Sequence, residues 1–192
     1  MKLQLITFLF FLAMLVVHPN DETTRFLSIL YSDRENCWCL DGKESRKELN
    51  HIFYKNTREN LLLLGHGNET GLFRKEDDGN YRLYIGKPMI YCLRRLIHPI
   101  VGVWCHSRLF AERYGLHGLF TDMIISELGE AIEYGVPTTE VELEKENRLF
   151  ALTLAGLLNA GLPYSEIPAR MKEAIADGPE VRAFNYKSFF VL

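Results

Sequence analysis

Short unbroken apolar runs alternate with amphipathic stretches along this chain, and that alternation predicts the architecture. Leu61-Leu62-Leu63-Leu64 is stopped by Gly65. A run this short, bounded by turn residues, fits a strand buried on both faces of a parallel sheet. Pro99 to Trp104 is a second such run and ends at Cys105. Asn36 to Leu40 reads as a shorter strand ended by Asp41-Gly42. Between the runs lie helical patterns. Asp21 to Thr24 can cap a helix with Phe26, Leu27, Leu30 and Tyr31 on its apolar side. Ser45 caps another, with Leu49, Ile52 and Phe53 inward. Pro88 opens a helix through Ile97, with Met89, Leu93, Leu96 and Ile97 facing the core. Gly71 to Phe73 and Tyr81 to Ile85 flank Asp77-Asp78-Gly79-Asn80, which is hairpin chemistry.

The second half is helical. Leu119 to Ser126 is a further strand or the approach to a helix through Tyr134. A long helix follows from Thr138 to Ala160, with Val141, Leu149, Leu152 and Leu158 on one face. Gly161-Leu162-Pro163 ends it, and Ser165 to Asp177 forms another. The tail Phe184 to Leu192 has extended character. Strand and helix alternating in this order imply an α/β fold: three layers, a mostly parallel sheet with helices on both faces, and a helical C-terminal segment.

The N-terminus admits two readings. Met1-Lys2 and the apolar run Leu3 to Val17 look like a signal peptide, but no small-x-small cleavage site follows. The run is also short of the ~20 residues that a membrane helix needs, so no stable membrane span is expected. The preferred reading makes Ala13 to Val17 the first buried strand. Residues 1–11 are then a hydrophobic extension, and residues 12–192 are one domain. The location expected is cytoplasmic, with export the alternative if residues 1–17 act as a signal.

Composition narrows the function classes. With 47% hydrophobic and 24% charged residues, the 192-residue chain is globular and not disordered. A formal charge of −3 and the lack of any basic stripe give no reason to expect a nucleic-acid partner. Cys37, Cys39, Cys92 and Cys105 form no ladder of spaced cysteines, so a reducing compartment is the default. Cys37 and Cys39 point to one face of a strand and lack redox-pair spacing.

Chemistry is concentrated at two strand ends. Ligands of open parallel sheets bind beyond the carboxyl ends of the strands. His66 and Cys105 both lie just past such ends, on runs expected to be neighbours ~4.8 Å apart. A thiol becomes a strong nucleophile as thiolate, and an imidazole can take its proton and later protonate a leaving amine. The amide of Gly67, in Gly65-His66-Gly67, is placed to meet a developing oxyanion, with the amide of Cys105 beside it.

Leu61 to Gly67 and Ile100 to Cys105 together resemble the caspase-like cysteine peptidases, clan CD. In that group a hydrophobic strand ends in His-Gly and a later one ends in the nucleophilic cysteine. The likeness is to small bacterial-type members and covers residues 12–135. It implies His66 as base, Cys105 as nucleophile and the Gly67 amide in the oxyanion hole. It also implies a peptide or protein substrate, a thioester intermediate and no cofactor. Trp104 departs from the small residue common before the nucleophile. The competing expectation is a non-catalytic binding or regulatory module on the same sheet.

Other motifs are weaker. His66, His98, Cys105-His106 and His117 supply metal-ligand types but match no zinc spacing, so no metal is expected. Gly65 to Gly71 lacks the lysine of a phosphate loop. His117-Gly118 repeats the His-Gly pair without an apolar lead-in and reads as a turn. Glu140 to Arg148 reads as a solvated helix face. Arg108, Glu112, Arg113 and Asp122 follow the cysteine, and no role is assigned to them. Oligomeric state is left open.

Overall fold

In a strand, successive side chains point to opposite faces, and the four-leucine run shows the result. Leu61 and Leu63 enter one core while Leu62 and Leu64 enter another, all at most 2% exposed. Burying a leucine side chain contributes roughly 1.5–3 kcal/mol, so this strand is a central source of stability. The computed structural model describes residues 14–19 and 21–192. The expectation for residues 1–11 therefore lies outside the described residues, while Met14–Val17 is a buried strand.

Among the described residues, nine strands follow in chain order. They are β1 Met14–Val17, β2 Cys37–Leu40, β3 Asn60–Leu64, β4 Gly67–Asn68, β5 Gly71–Lys75, β6 Tyr81–Gly86, β7 Ile100–Val103, β8 Gly118–Thr121 and β9 Phe189–Val191. Six form the central sheet in the order β2-β1-β3-β7-β8-β9, parallel except for β9, which runs antiparallel to β8. The strands β4, β5 and β6 form a small antiparallel sheet placed directly after β3. The helices are α1 Arg46–Lys55, α2 Ile90–Leu93, α3 Ser107–Tyr114, α4 Leu128–Glu133, α5 Glu140–Asn159, α6 Ile167–Glu173 and α7 Glu180–Tyr186.

Helices cover both faces, as a three-layer α/β fold requires. On one face, Leu49 and Phe53 of α1 and Phe110 of α3 pack with Leu15, Leu61, Leu63 and Phe120. On the other, Phe150 and Leu154 of α5 and Met171 of α6 pack with Val16, Leu62, Val101 and Val103. Ser45 caps α1 in a reciprocal capping box with Glu48, as its sequence signature predicts. No helix among the described residues is long and apolar enough to cross a membrane.

Several expected elements differ. Residues 25–30 are a 3-10 turn with no side-chain cap, because Asp21 bonds Thr23 instead. The helix expected from Pro88 to Ile97 is a 3-10 turn followed by α2, and Ile97 is 64% exposed. The inward face of α5 is built from Leu143, Glu146, Asn147, Phe150, Ala151 and Leu154, whereas Val141 is 80% exposed and Leu152 is also outside. Glu146 is not solvated: it is buried and takes a bidentate bond from Arg182 of α7 at 2.7 and 2.9 Å. Residues 165–177 are only partly helical, as α6. Residues 180–186, read in part as extended, are helix α7, and only 189–191 form a strand.

Candidate active site at the carboxyl rim

The strand order places a topological switch between β1 and β3, where open sheets form their ligand crevice. The loop after β1 carries Asp21 and Thr23, the loop after β3 carries His66, and the turn after β7 carries Cys105. The loop after β8 closes the rim with Asp122, Ile124, Ser126 and Glu127. His66 and Cys105 line one crevice, with Thr24, Phe26, Trp104, Ile124 and Ser126 around them. Its free volume is about 10 Å³, close to the space of one water.

His66 is held through one nitrogen. Its Nε2 lies 2.6 Å from Thr23 Oγ1 and 3.3 Å from Glu127 Oε1. Thr23 donates its hydroxyl proton to Asp21 Oδ1 at 2.6 Å, so the threonine oxygen is the acceptor for His66. Two acceptors at Nε2 place the ring proton there and leave Nδ1 with its lone pair. Nδ1 makes no hydrogen bond among the described residues. Asp21 is buried, yet its carboxyl is held below the usual range. Burial raises it, but the Thr23 hydroxyl and amide, the Tyr81 hydroxyl at 2.9 Å and the nearby His66 outweigh that. The Tyr81 ring meets the His66 ring edge-on at 5.3 Å.

Cys105 is held differently. Its thiol donates to the Ile124 carbonyl at 3.3 Å. Burial, followed by the Glu130 carboxylate, pushes it up to about 12. The preceding Trp104 is 1% exposed and packs edge-on against Phe110 at 5.7 Å. Its indole N–H donates to the Asn68 carbonyl at 3.1 Å. The residue that looked out of place before a nucleophile is therefore a brace beneath the loop after His66. Gly67 answers to it. A Cβ there would stand 2.2 Å from Trp104 Cδ1, so close packing and not a left-handed turn demands glycine. Gly65 is the turning residue, with φ +136°.

Buried hydroxyls fix the backbone between β7 and α3. Ser107 Oγ accepts the Thr121 amide at 2.7 Å and donates to the Gly102 carbonyl at 2.8 Å. Thr121 Oγ1 donates to the Trp104 carbonyl at 2.8 Å. His106 adopts a left-handed conformation, φ 65°, uncommon for a side-chain-bearing residue. Its Nδ1 lies 2.7 Å from Asp122 Oδ1, and Arg108 reaches Asp122 Oδ2 at 3.2 Å. Arg108 and Asp122 thus hold the turn that follows Cys105.

Asp21, Thr23, Glu127 and the Ser107–Thr121 pair escaped the sequence reading. The strand-end rule pointed at the loops after β1 and β8, but not at which polar residue in each would turn inward. His98 and His117 stand at the opposite end of the sheet, lining a separate hollow. Among the described residues, no group of three histidine, cysteine or acidic side chains is arranged to hold a metal ion. No protein-family model matches this chain, and no curated protein matches it either.

Proposed function

We propose that the protein is a cysteine hydrolase, most specifically a peptidase, with Cys105 as nucleophile and His66 as base. The observation that carries this is the shared crevice at the switch-point rim, where His66 is anchored through Nε2 and keeps Nδ1 free. A thiol at about 12 holds essentially no standing thiolate at neutral pH. Its proton therefore leaves as the sulfur attacks.

In the proposed cycle, Cys105 Sγ bonds to the carbonyl carbon while its proton passes to His66 Nδ1. The Gly67 and Cys105 amides donate to the oxyanion. The C–N bond then breaks as His66 returns the proton to the amine, which departs and leaves a thioester. Water attacks the thioester, His66 takes its proton, and the acid and the thiol are released. The crevice is narrow, so entry requires Phe26 and Ser126 to part. A peptidyl acyloxymethyl ketone should alkylate Cys105, located by peptide mass spectrometry, and His66→Ala should prevent it. Equal labelling of the two proteins rejects the reading.

One observation favours a second reading, a binding or regulatory module without catalysis. The Cys105 thiol is already satisfied by the Ile124 carbonyl in a nearly filled crevice. On that reading Cys105→Ala leaves partner binding intact and the ketone labels nothing.

A further inference from the structure

Charge is sorted by face in this molecule. Residues 43–115, which include α1, α2 and α3, hold 13 lysines and arginines against 8 aspartates and glutamates. Residues 116–192, which include α4 to α7, hold 6 against 12. Helices α1 to α3 pack on one core and α5 to α7 on the other, so the two surpluses lie on opposite sides of the central sheet. The overall charge of −3 conceals this separation.

Each side also exposes large apolar or aromatic side chains in one place. On the basic side, Tyr54 of α1 and Tyr91 of α2 are more than half exposed. The Arg95 guanidinium lies 5.5 Å from both rings and donates to the Tyr91 hydroxyl at 3.2 Å. On the same helices and the turns next to them are Lys47, Lys55, Arg58, Lys87 and Arg94, all exposed and none in an ion pair among the described residues. Glu48, on the first turn of α1, is held in its Ser45 cap. Tyrosine and arginine are the side chains that most often dominate binding energy in protein interfaces. On the acidic side, Ile132 of α4 and Val141 of α5 are 73% and 80% exposed, and Leu128 is also outside. Ala131 and Leu143 join α4 and α5 in one small core, and Leu128 shares a groove with Glu140 and Glu144. Glu133 and Glu140 adjoin Ile132 and Val141 in the chain, and neither they nor Glu144 pair with a lysine or arginine among the described residues. Lys145 and Arg148 lie further along α5.

We propose that copies of this chain associate head to tail, the Tyr54–Arg95–Tyr91 face of one seated on the α4–α5 face of the next. Such association does not depend on Cys105 chemistry. Each patch has an apolar centre and a charged rim, the build of a protein interface. The two rims are opposite in sign, so the partner that fits each one is present on the chain itself. Sign also decides the arrangement, because two basic or two acidic faces repel. The patches lie on opposite sides of the sheet, so a pair of copies satisfies only one contact. Every added copy leaves one face of each kind open, and the assembly grows into a ring or a filament.

Sedimentation velocity of the full chain tests this. At about 100 μM protein and ~50 mM salt, the wild type should form species larger than a dimer, and ~500 mM salt should return it to monomer. Two variants each blunt one face: Tyr91→Ser/Arg95→Glu and Ile132→Ser/Glu133→Lys. Each should be monomeric alone, its self-affinity lowered about tenfold or more. Mixed, each supplies the face that the other lacks, so the two should form a 1:1 pair and stop there. All four side chains are exposed, and urea unfolding checks that both variants fold. The single charge changes Arg95→Glu and Glu133→Lys, which leave the apolar side chains intact, should give the same pattern more weakly. A wild type that is monomeric at low salt, or that stops at a dimer, overturns the proposal. Association that survives either double variant, or a mixture that stays monomeric, overturns it too.

Discussion

Histidine followed by glycine occurs twice in this chain, at opposite ends of the same sheet. His66-Gly67 follows β3 at the carboxyl rim, and His117-Gly118 enters β8 at the amino rim. The His117 side chain is exposed and makes no hydrogen bond among the described residues; only its carbonyl is used, by the Ile100 amide at 2.9 Å. The His66 ring has 15% of its side chain exposed and is fixed by Thr23 and Glu127. The glycines differ as well. Gly67 makes room for an indole, whereas a Cβ on Gly118 would stand 1.8 Å from the Ile100 carbonyl oxygen. A dipeptide thus carries no chemistry by itself. The rim it reaches, and the acceptors waiting there, decide what it does.

The sharpest way to break this contrast is to remove each ring in turn. His66→Ala should slow ketone labelling of Cys105 by ~10²–10⁴-fold, the usual worth of a general base. His117→Ala should leave the rate within about twofold, because its ring touches nothing at the site. Intact-mass kinetics read both, and matched losses would abolish the distinction between the rims.

The next effect is on stability. Trp104 is the floor of the carboxyl rim, and Trp104→Ala should cost about 3–5 kcal/mol in urea unfolding, as expected for a buried aromatic. A loss under 1 kcal/mol would mean that the brace beneath the His66 loop carries no weight.

Acid should then reveal a third histidine. His18 is buried, with Nδ1 3.0 Å from the Tyr31 hydroxyl and Nε2 3.3 Å from Thr24 Oγ1. Burial lowers it from 6.5 to about 4. A depressed folded-state value means that the unfolded chain takes up the proton first. The stabilisation is full above pH ~6.5 and is lost as pH falls through about 4, by on the order of 3 kcal/mol. His18→Gln should flatten that acid limb in pH-dependent unfolding, and His117→Ala should leave it unchanged.

The smallest effect separates anchoring from chemistry. Thr23→Val keeps the volume but cuts the link from Asp21 to His66. It should lower the labelling rate about tenfold, the worth of one such bond, and displace the pH–rate profile. Thr23→Ser should restore both. A lower rate with an unmoved profile, and no rescue by serine, would make Thr23 only a packing residue.

Much of the fold was legible because local chemistry and tertiary demand agree there. The runs at 61–64 and 100–103 are apolar on both faces, as a covered parallel sheet requires. The Ser45 capping box is complete within four residues. Where tertiary partners decide, the pattern misled. The inner face of α5 includes Glu146 and Asn147, whose partners Arg182 and Ser126 are distant in the chain. Apolar Val141 and Leu152 consequently looked like the better stripe. Helix α7 was obscured by the aromatic residues Phe184 and Tyr186, which favour strands. The placement of His66 and Cys105 at one rim followed from strand-end reasoning. The acceptors around His66 did not, because nothing in a polar loop marks which hydroxyl or carboxylate turns inward.

The carboxamide of Asn185 clasps the Ile125 backbone from both sides, taking its N–H at 2.8 Å and giving to its carbonyl at 2.9 Å. Ile125 sits between Ile124, whose carbonyl accepts the Cys105 thiol, and Ser126, which lines the crevice. A chain emerging during synthesis would have His66 and Cys105 in hand long before this clasp exists. The crevice would lack its far wall until helix α7 arrived, so the Cys105 thiol would gain its finished surroundings only near the end of folding.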